Sequence, residues 1–320
     1  MLIGANVRAS RDLLPALEHG ADIGADVVQI FTTSPRVWKS NVFAPELLEE
    51  YRLAQLEHPT VRATFCHASY LINIATTDPE LLAKSRACLL ENLRVATAIA
   101  SSGLVLHLGS HLGAGFGAVV GAIADELRRA LDGVEDLLGR RAGPLLMENA
   151  AGAGGTCGRD FGELAAVLEA AGGDERLGVC LDTQHLFASG ADYRTLAKAD
   201  AVVIGIDGAV GLERLACIHL NDSKSARGSN RDRHANLGDG LIGPTELASL
   251  LGHPRLQHLS AVLETPGLEG HGPGARDLAA ARRLHAAGVR RWQRRCPAAG
   301  ARTCPAPAPR ARRQPPTRRP

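Results

Sequence analysis

The chain has 320 residues, is 45% hydrophobic but only 3% aromatic, and carries a net charge of +2 at pH 7. Ten arginines and no acidic residue lie between Arg290 and Pro320, so the preceding chain stands at −8 (+2 less 10). That balance excludes a nucleic-acid binder built on a basic body. Seven cysteines without a C-x-x-C pair exclude a zinc ribbon and a disulfide scaffold. No run reaches about 18 apolar residues, and the opening MLIGANVRASRDLL holds no apolar signal core. A soluble cytoplasmic protein with reduced thiols is expected.

In chain order, strand patterns fall at LIGAN (2–6), VVQIF (27–31), VRATFCH (61–67), LVLH (104–107), LLME (145–148), GVCLD (178–182), LACIH (215–219) and AVLE (261–264). Amphipathic helices alternate with them. One starts at PELLEEYRLAQL after Ala44. The clearest starts at Asp78-Pro79-Glu80, an N-cap followed by proline at the first helical position, and is expected to run to Gly103. FGELAAVLEAAGG after Asp160 and PTELASLL after Gly243 are of the same kind.

Strand ends fall at Asn6, Phe31, His67, His107, Glu148, Asp182, His219 and Glu264, spaced by 25 to 45 residues. Eight βα units at this pace predict an α/β fold, a single-domain (β/α)8 TIM barrel over residues 1–287. A doubly wound open sheet is the competitor, but GANVRAS is not its G-x-G-x-x-G fingerprint. From residue 288 to 320 the composition turns to Arg and Pro, with 7 of the 17 prolines in the last 25 residues. This segment reads as a disordered low-complexity tail, either without a specific role or adding weak phosphate attraction.

Six of the eight strand ends carry a metal-capable residue: His67, His107, Glu148, Asp182, His219 and Glu264. In this fold they converge on the C-terminal mouth. Six ionisable groups buried together without a counter-charge are costly, and cations remove that cost. Two loops add three more residues. D-T-Q-H places His185 three residues beyond Asp182, in the turn leaving the sixth strand. The 23 residues 221–243 are far longer than an ordinary connection and hold Asp232 and His234 two apart. Alternate residues of an extended segment face one side, so the loop can deliver a chelating pair, with Gly228, Gly238 and Gly240 supplying turns. Five imidazoles and four carboxylates without thiolate suit zinc, with manganese or iron possible, and are too many for one ion. The other seven histidines, His111 among them, read as surface or structural, with a role in orienting His107 as the alternative for His111.

The stretches HASYLINIA, LHLGSHLG, MENAAGAGG, CLDTQHLFASGAD, HLNDSKSARGSNRDRHANLGDGLIG and LETPG resemble endonuclease IV, the AP endonuclease family with a trinuclear zinc site on a TIM barrel. The likeness runs from residue 2 to about 286 in the same order. It implies three zinc ions, with manganese possible at some sites. His67 and His107 hold the first, Glu148 bridges it to the second, Asp182, His219 and Glu264 complete the second, and His185, Asp232 and His234 hold the third. Glu148, Glu264 and His185 are the residues assigned to the chemistry itself. The implied reaction is hydrolysis of the phosphodiester 5′ to an abasic site by a metal-held hydroxide, giving a 3′-hydroxyl and a 5′-deoxyribose phosphate. Cleaning of blocked 3′ ends goes with it.

The implied partner is double-stranded DNA carrying abasic sites or blocked 3′ ends, for a monomeric, nucleoid-associated enzyme with no membrane partner. Arg36 in FTTSPRVW enters the duplex, Tyr70 and Leu71 fill the gap left by the flipped nucleotide, and Asn73 sits near the site. Trp38 packs under the same loop, and Lys224, Arg227, Arg231 and Arg233 contact phosphates. Tyr70-Leu71-Ile72 also reads as the buried start of a βα loop. Three departures stand out: Asn6 where many members have His, Gln184 in place of a small residue, and Leu108 where Pro is common. Two alternatives remain at this stage. One is a divalent-metal sugar isomerase or epimerase, to which His185, Asp232 and His234 are superfluous. The other is a non-catalytic zinc-containing DNA-binding barrel.

Overall fold

Short apolar runs set the strands, and the chain closes them into a ring. A computed structural model describes residues 1–9, 12–38 and 41–295. The strands are β1 (Leu2–Asn6), β2 (Val27–Phe31), β3 (Ala63–His67), β4 (Leu104–Leu106), β5 (Leu145–Glu148), β6 (Leu177–Asp182), β7 (Leu215–His219), the short β8 (Asp222–Ser223) and β9 (His234–Ala235), and β10 (Ser260–Leu263). β1 to β7 and β10 form a closed, all-parallel barrel in the order β1-β10-β7-β6-β5-β4-β3-β2. This is the expected (β/α)8 architecture. His107 and Glu264 stand one residue beyond β4 and β10 rather than inside them.

The helices are α1 (Leu14–Asp22), α2 (Pro45–Glu57), α3 (Pro79–Ala98), α4 (Phe116–Leu138), α5 (Phe161–Ala170), α6 (Thr183–Ala188), α7 (Leu196–Val210), α8 (Pro244–Leu251) and α9 (Ala275–Arg295). The Asp78 side chain accepts from the Glu80 and Leu81 amides, as its capping position requires. α3 stops earlier than Gly103: its cap is Ile99, and Ala100 turns left-handed at φ 53°.

Val27, Phe65, Val105, Leu146, Cys180, Cys217 and Val262 fill the barrel interior, while a larger apolar layer joins the strands to the helices. Each Val, Leu or Phe side chain among them contributes ~1.5–3 kcal/mol on full burial. β1 crowds β2 so closely that a Cβ on Gly4 would fall 1.6 Å from the Val27 carbonyl oxygen. The five cysteines among the described residues are free and buried.

The expected break after Ala287 lies too early. α9 continues to Arg295, with Trp292 buried and its indole N–H donating to the Ser249 carbonyl at 2.8 Å. Trp292 supplies the apolar surface that the arginine-rich composition obscures. The rest of the tail lies outside the described residues.

Candidate metal centre

Parallel strands deliver their C-terminal residues to one rim, and the nine candidate ligands meet there. Glu148 is central. Its Oε2 lies 3.4 Å from His67 Nε2 and 3.3 Å from His107 Nε2. Its Oε1 lies 3.0 Å from His219 Nδ1 and 3.2 Å from His185 Nδ1. Glu264 Oε2 reaches His219 Nδ1 at 3.2 Å. On the outer side, Asp232 lies 3.3 Å from His185 Nε2 and 3.2 Å from His234 Nε2, and Asp182 lies 3.7 Å from His234 Nε2.

Potential ligand atoms gather in overlapping groups: His67, His107 and Glu148; Glu148, Asp182, His219 and Glu264; Asp182, His185 and His234. His67, Glu148, Asp182, His185 and His219 are buried, whereas Asp232 is exposed at the rim. Asp182 therefore shares the outer group with the two histidines, a part the sequence reading gave to Asp232 alone.

The donor set fits divalent cations. His67 Nε2, Glu148 Oε2, His185 Nε2 and His234 Nε2 are buried and make no hydrogen bond. Burying such atoms unsatisfied is costly, and all four belong to the candidate ligands. Backbone carbonyls engage the opposite ring nitrogen in three cases. His67 Nδ1 lies 2.8 Å from Ala68 O, His185 Nδ1 2.9 Å from Asn149 O, and His234 Nδ1 3.4 Å from Glu264 O. Such bonds leave Nε2 free to coordinate.

Burial and charge oppose one another across this cluster. Burial works to raise Glu148, but the charges of His107 and His219, with hydrogen bonds from His185 and His219, hold it well below the carboxylate range. Burial works to lower His185 and His219, yet the surrounding carboxylates hold both well above the usual imidazole range. His234 is likewise pushed up to about 9, against its burial, by Asp232, Asp182 and Glu264. His107, where burial wins, falls to about 4. Burial also raises Asp182.

Local folding explains the placement. His185 lies on α6, not in a turn. Asp182 caps that helix by accepting from the His185 amide at 2.7 Å. β9 pairs antiparallel with β8, which folds the long loop back over the mouth and carries His234 inward. The buried Asp222 carboxylate accepts from the amides of Ser223, Gly238, Gly240, Ile242 and Gly243 and so organises the second half of the loop. Gly228 and Gly238 turn at positive φ. Gly240 does not: a Cβ there would meet Asp222 Oδ1 at 2.4 Å. Gln184 donates to Ser223 Oγ and to the Arg231 carbonyl, both at 3.0 Å, and ties the loop to α6.

The residues expected to meet DNA lie on the same rim. Arg36, Lys224, Arg227, Arg231 and Arg233 are exposed. Arg227 also donates to Gly190 O at 2.7 Å, and Arg233 to Asp232 O at 2.7 Å. Tyr70 is 49% exposed and packs edge-on against His67, 5.2 Å between centroids. Leu71 is half-buried, and only Ile72 takes the buried place that the alternative reading gave all three. Asn73 has its amide engaged with the Ser110 backbone at 3.0 and 3.1 Å, which pins the loop after β4. One expectation and one alternative fail. Trp38, at 36% exposure, is open to solvent rather than packed. His111 does not orient His107: its Nδ1 accepts from the Gly113 and Gly115 amides and shapes its own loop.

Sequence reasoning missed three buried amides. Asn149 accepts from the Asp182 amide at 2.7 Å, and Asn221 donates to Asp182 Oδ2 at 2.7 Å. Gln29, on β2, reaches both His219 and Glu264. A lone glutamine in the apolar run VVQIF was the available signal.

Comparison with known proteins adds to this geometry. The family described as xylose isomerase-like TIM barrel matches residues 17–295. A protein named "Probable endonuclease 4" from Halorhodospira halophila is 43% identical over 269 residues, 84% of this chain and 89% of its own. One of the same name from Oleidesulfovibrio alaskensis is 38% identical over 286 residues, 88% of this chain and 95% of its own. The crystal structure of endonuclease IV from Thermus thermophilus superposes with a TM-score of 0.73 at 31% identity, covering 91% of this chain and all (100%) of that one. An L-ribulose 3-epimerase structure shares the fold at 16% identity and a TM-score of 0.64, covering 95% of this chain and 100% of its own.

Proposed function

Because the chain belongs to the endonuclease IV family of the xylose isomerase-like TIM barrels, we propose that it is a DNA-repair endonuclease acting at abasic sites. It hydrolyses the phosphodiester 5′ to the lesion, leaving a 3′-hydroxyl and a 5′-deoxyribose phosphate, and it clears blocked 3′ ends. The observation that carries this reading is the convergence of nine ligand-type side chains on one mouth, four of whose buried polar atoms lack a hydrogen-bond partner.

His67, His107 and Glu148 hold one cation. Glu148, Asp182, His219 and Glu264 hold a second. His185, Asp232 and His234, with Asp182 close by, hold a third. Imidazole with carboxylate favours zinc, and manganese is the alternative. Such ions supply Lewis acidity at the phosphoryl group and bring the pKa of water toward neutrality. The chain's own part is placement. Glu148 fixes the spacing of the inner groups, because each of its oxygens faces two imidazoles. Tyr70 and Leu71 stand beside that centre to fill the gap in the base stack, and the exposed arginines of the long loop meet backbone phosphates. The outer trio supports this reading over a sugar isomerase, which has no use for it.

The reading is tested on an end-labelled duplex holding one tetrahydrofuran lesion, which cannot undergo β-elimination. The expected product is a nick on the 5′ side whose 3′ end a polymerase extends. A nick on the 3′ side, or an end that cannot be extended, overturns the assignment.

A further inference from the structure

We infer that Gln29 sets the ring orientation and tautomer of His219, and so is a positioning residue for the second cation; this rests on the metal-dependent reading above. Gln29 is fully buried on β2, at the inner rim of the barrel. It reaches past β1, the strand between β2 and β10, to residues of β7 and of the segment after β10. Its Nε2 donates to Glu264 Oε1 at 2.6 Å, and its Oε1 lies 2.8 Å from His219 Nε2.

The chemistry fixes both ends of this bridge. An ionised Glu264 can only accept, so the amide nitrogen must face it. The amide oxygen left over can only accept, so His219 Nε2 must carry hydrogen. When a cation takes the place of the proton on Nδ1, the lone pair of His219 is on that atom and faces the same carboxylates, Glu148 Oε1 and Glu264 Oε2, 3.0 and 3.2 Å away. His219 is thus the reverse of His67, His185 and His234. Those three set their Nδ1 against backbone carbonyls and keep Nε2 free. A backbone carbonyl is supplied by the fold itself, whereas Gln29 is a side chain that a single substitution removes. The same amide orients Glu264, so two ligands of one cation depend on it. Partners of this kind typically set metal affinity by about 10- to 100-fold.

Gln29→Met keeps an unbranched side chain of similar size and loses both hydrogen bonds. Folding is followed by far-UV circular dichroism, and zinc is counted during titration with a competing chelator. The variant is expected to fold and to give up one zinc about 10- to 100-fold more readily than the wild type, the remaining zinc being unmoved. Wild-type zinc retention in the folded variant overturns the inference. Should the variant not fold, the wild type decides. Long-range 15N–1H correlation spectra of the zinc-loaded protein should show the His219 proton on Nε2, and a proton on Nδ1 overturns the inference. Both measurements are made without DNA. Gln29 can therefore fail while the nuclease reading stands, and an intact zinc set in a protein that does not cut DNA fails only the nuclease reading.

Discussion

Glu148 meets four imidazoles, two at each oxygen, and is buried where an unbalanced carboxylate is expensive. Its ionised state is sustained by cationic partners, protonated imidazoles or metal. Glu148→Gln keeps the volume and removes the charge that the two proposed cations would share. Binding to a lesion-bearing duplex is expected to stay within about threefold, while cleavage falls by more than about a hundredfold. A gel-shift titration beside a cleavage assay checks both, and cleavage at the wild-type rate would show that Glu148 bridges nothing. The cluster of candidate ligands was legible in the sequence because each ends a strand or sits in a short motif. Gln29, Asn149 and Asn221 were not, because an amide has no spacing rule and its partners lie on other strands.

The second half of the long loop is gathered on one carboxylate. Asp222, one polar residue among many in the loop sequence, is buried and accepts from five backbone amides. In Asp222→Asn one acceptor oxygen becomes a donor facing N–H groups. A loss of about 1–3 kcal/mol is expected in urea unfolding, with faster amide exchange confined to residues 224–243. Unchanged exchange there would mean that Asp222 does not hold the loop and that the β8–β9 pairing and the Gln184 bonds do. α9 makes a second case. Its arginine-rich end hid the fact that the helix packs on past residue 287, with Gly288 against the Ala248 carbonyl and Trp292 buried. Trp292→Ala is expected to cost about 3–5 kcal/mol, and a negligible change in unfolding would return the boundary to Ala287. Helix type and strand order follow from periodicity, but caps such as the Ile99 stop of α3 depend on tertiary contacts and were misplaced.

For the molecule as a whole, charge and function pull in opposite directions. The chain before Arg290 is −8, yet its proposed substrate is a polyanion. The proposed cations resolve this by making the mouth locally positive. A chain ending at Arg295 loses six arginines and no acidic residue. It is expected to unfold at the same temperature and to cleave at the same rate near 0.15 M salt, where surface charge is screened within about 8 Å. Loss of cleavage on that truncation would place the terminal segment in the substrate site. The barrel was legible because eight βα units repeat at a regular pace. The family was legible because its motifs follow one another in order over most of the chain, and the similarity to endonuclease 4 proteins agrees with both. The central claim, that these nine side chains hold cations that hydrolyse DNA at abasic sites, is tested most directly by stripping and restoring metal. Purified protein is assayed on a tetrahydrofuran duplex as isolated, after chelation and dialysis, and after addition of zinc. The account predicts a 5′-side nick that disappears on stripping and returns with zinc. A folded, zinc-loaded protein that leaves the duplex uncut, or a nick untouched by complete removal of metal, would contradict it.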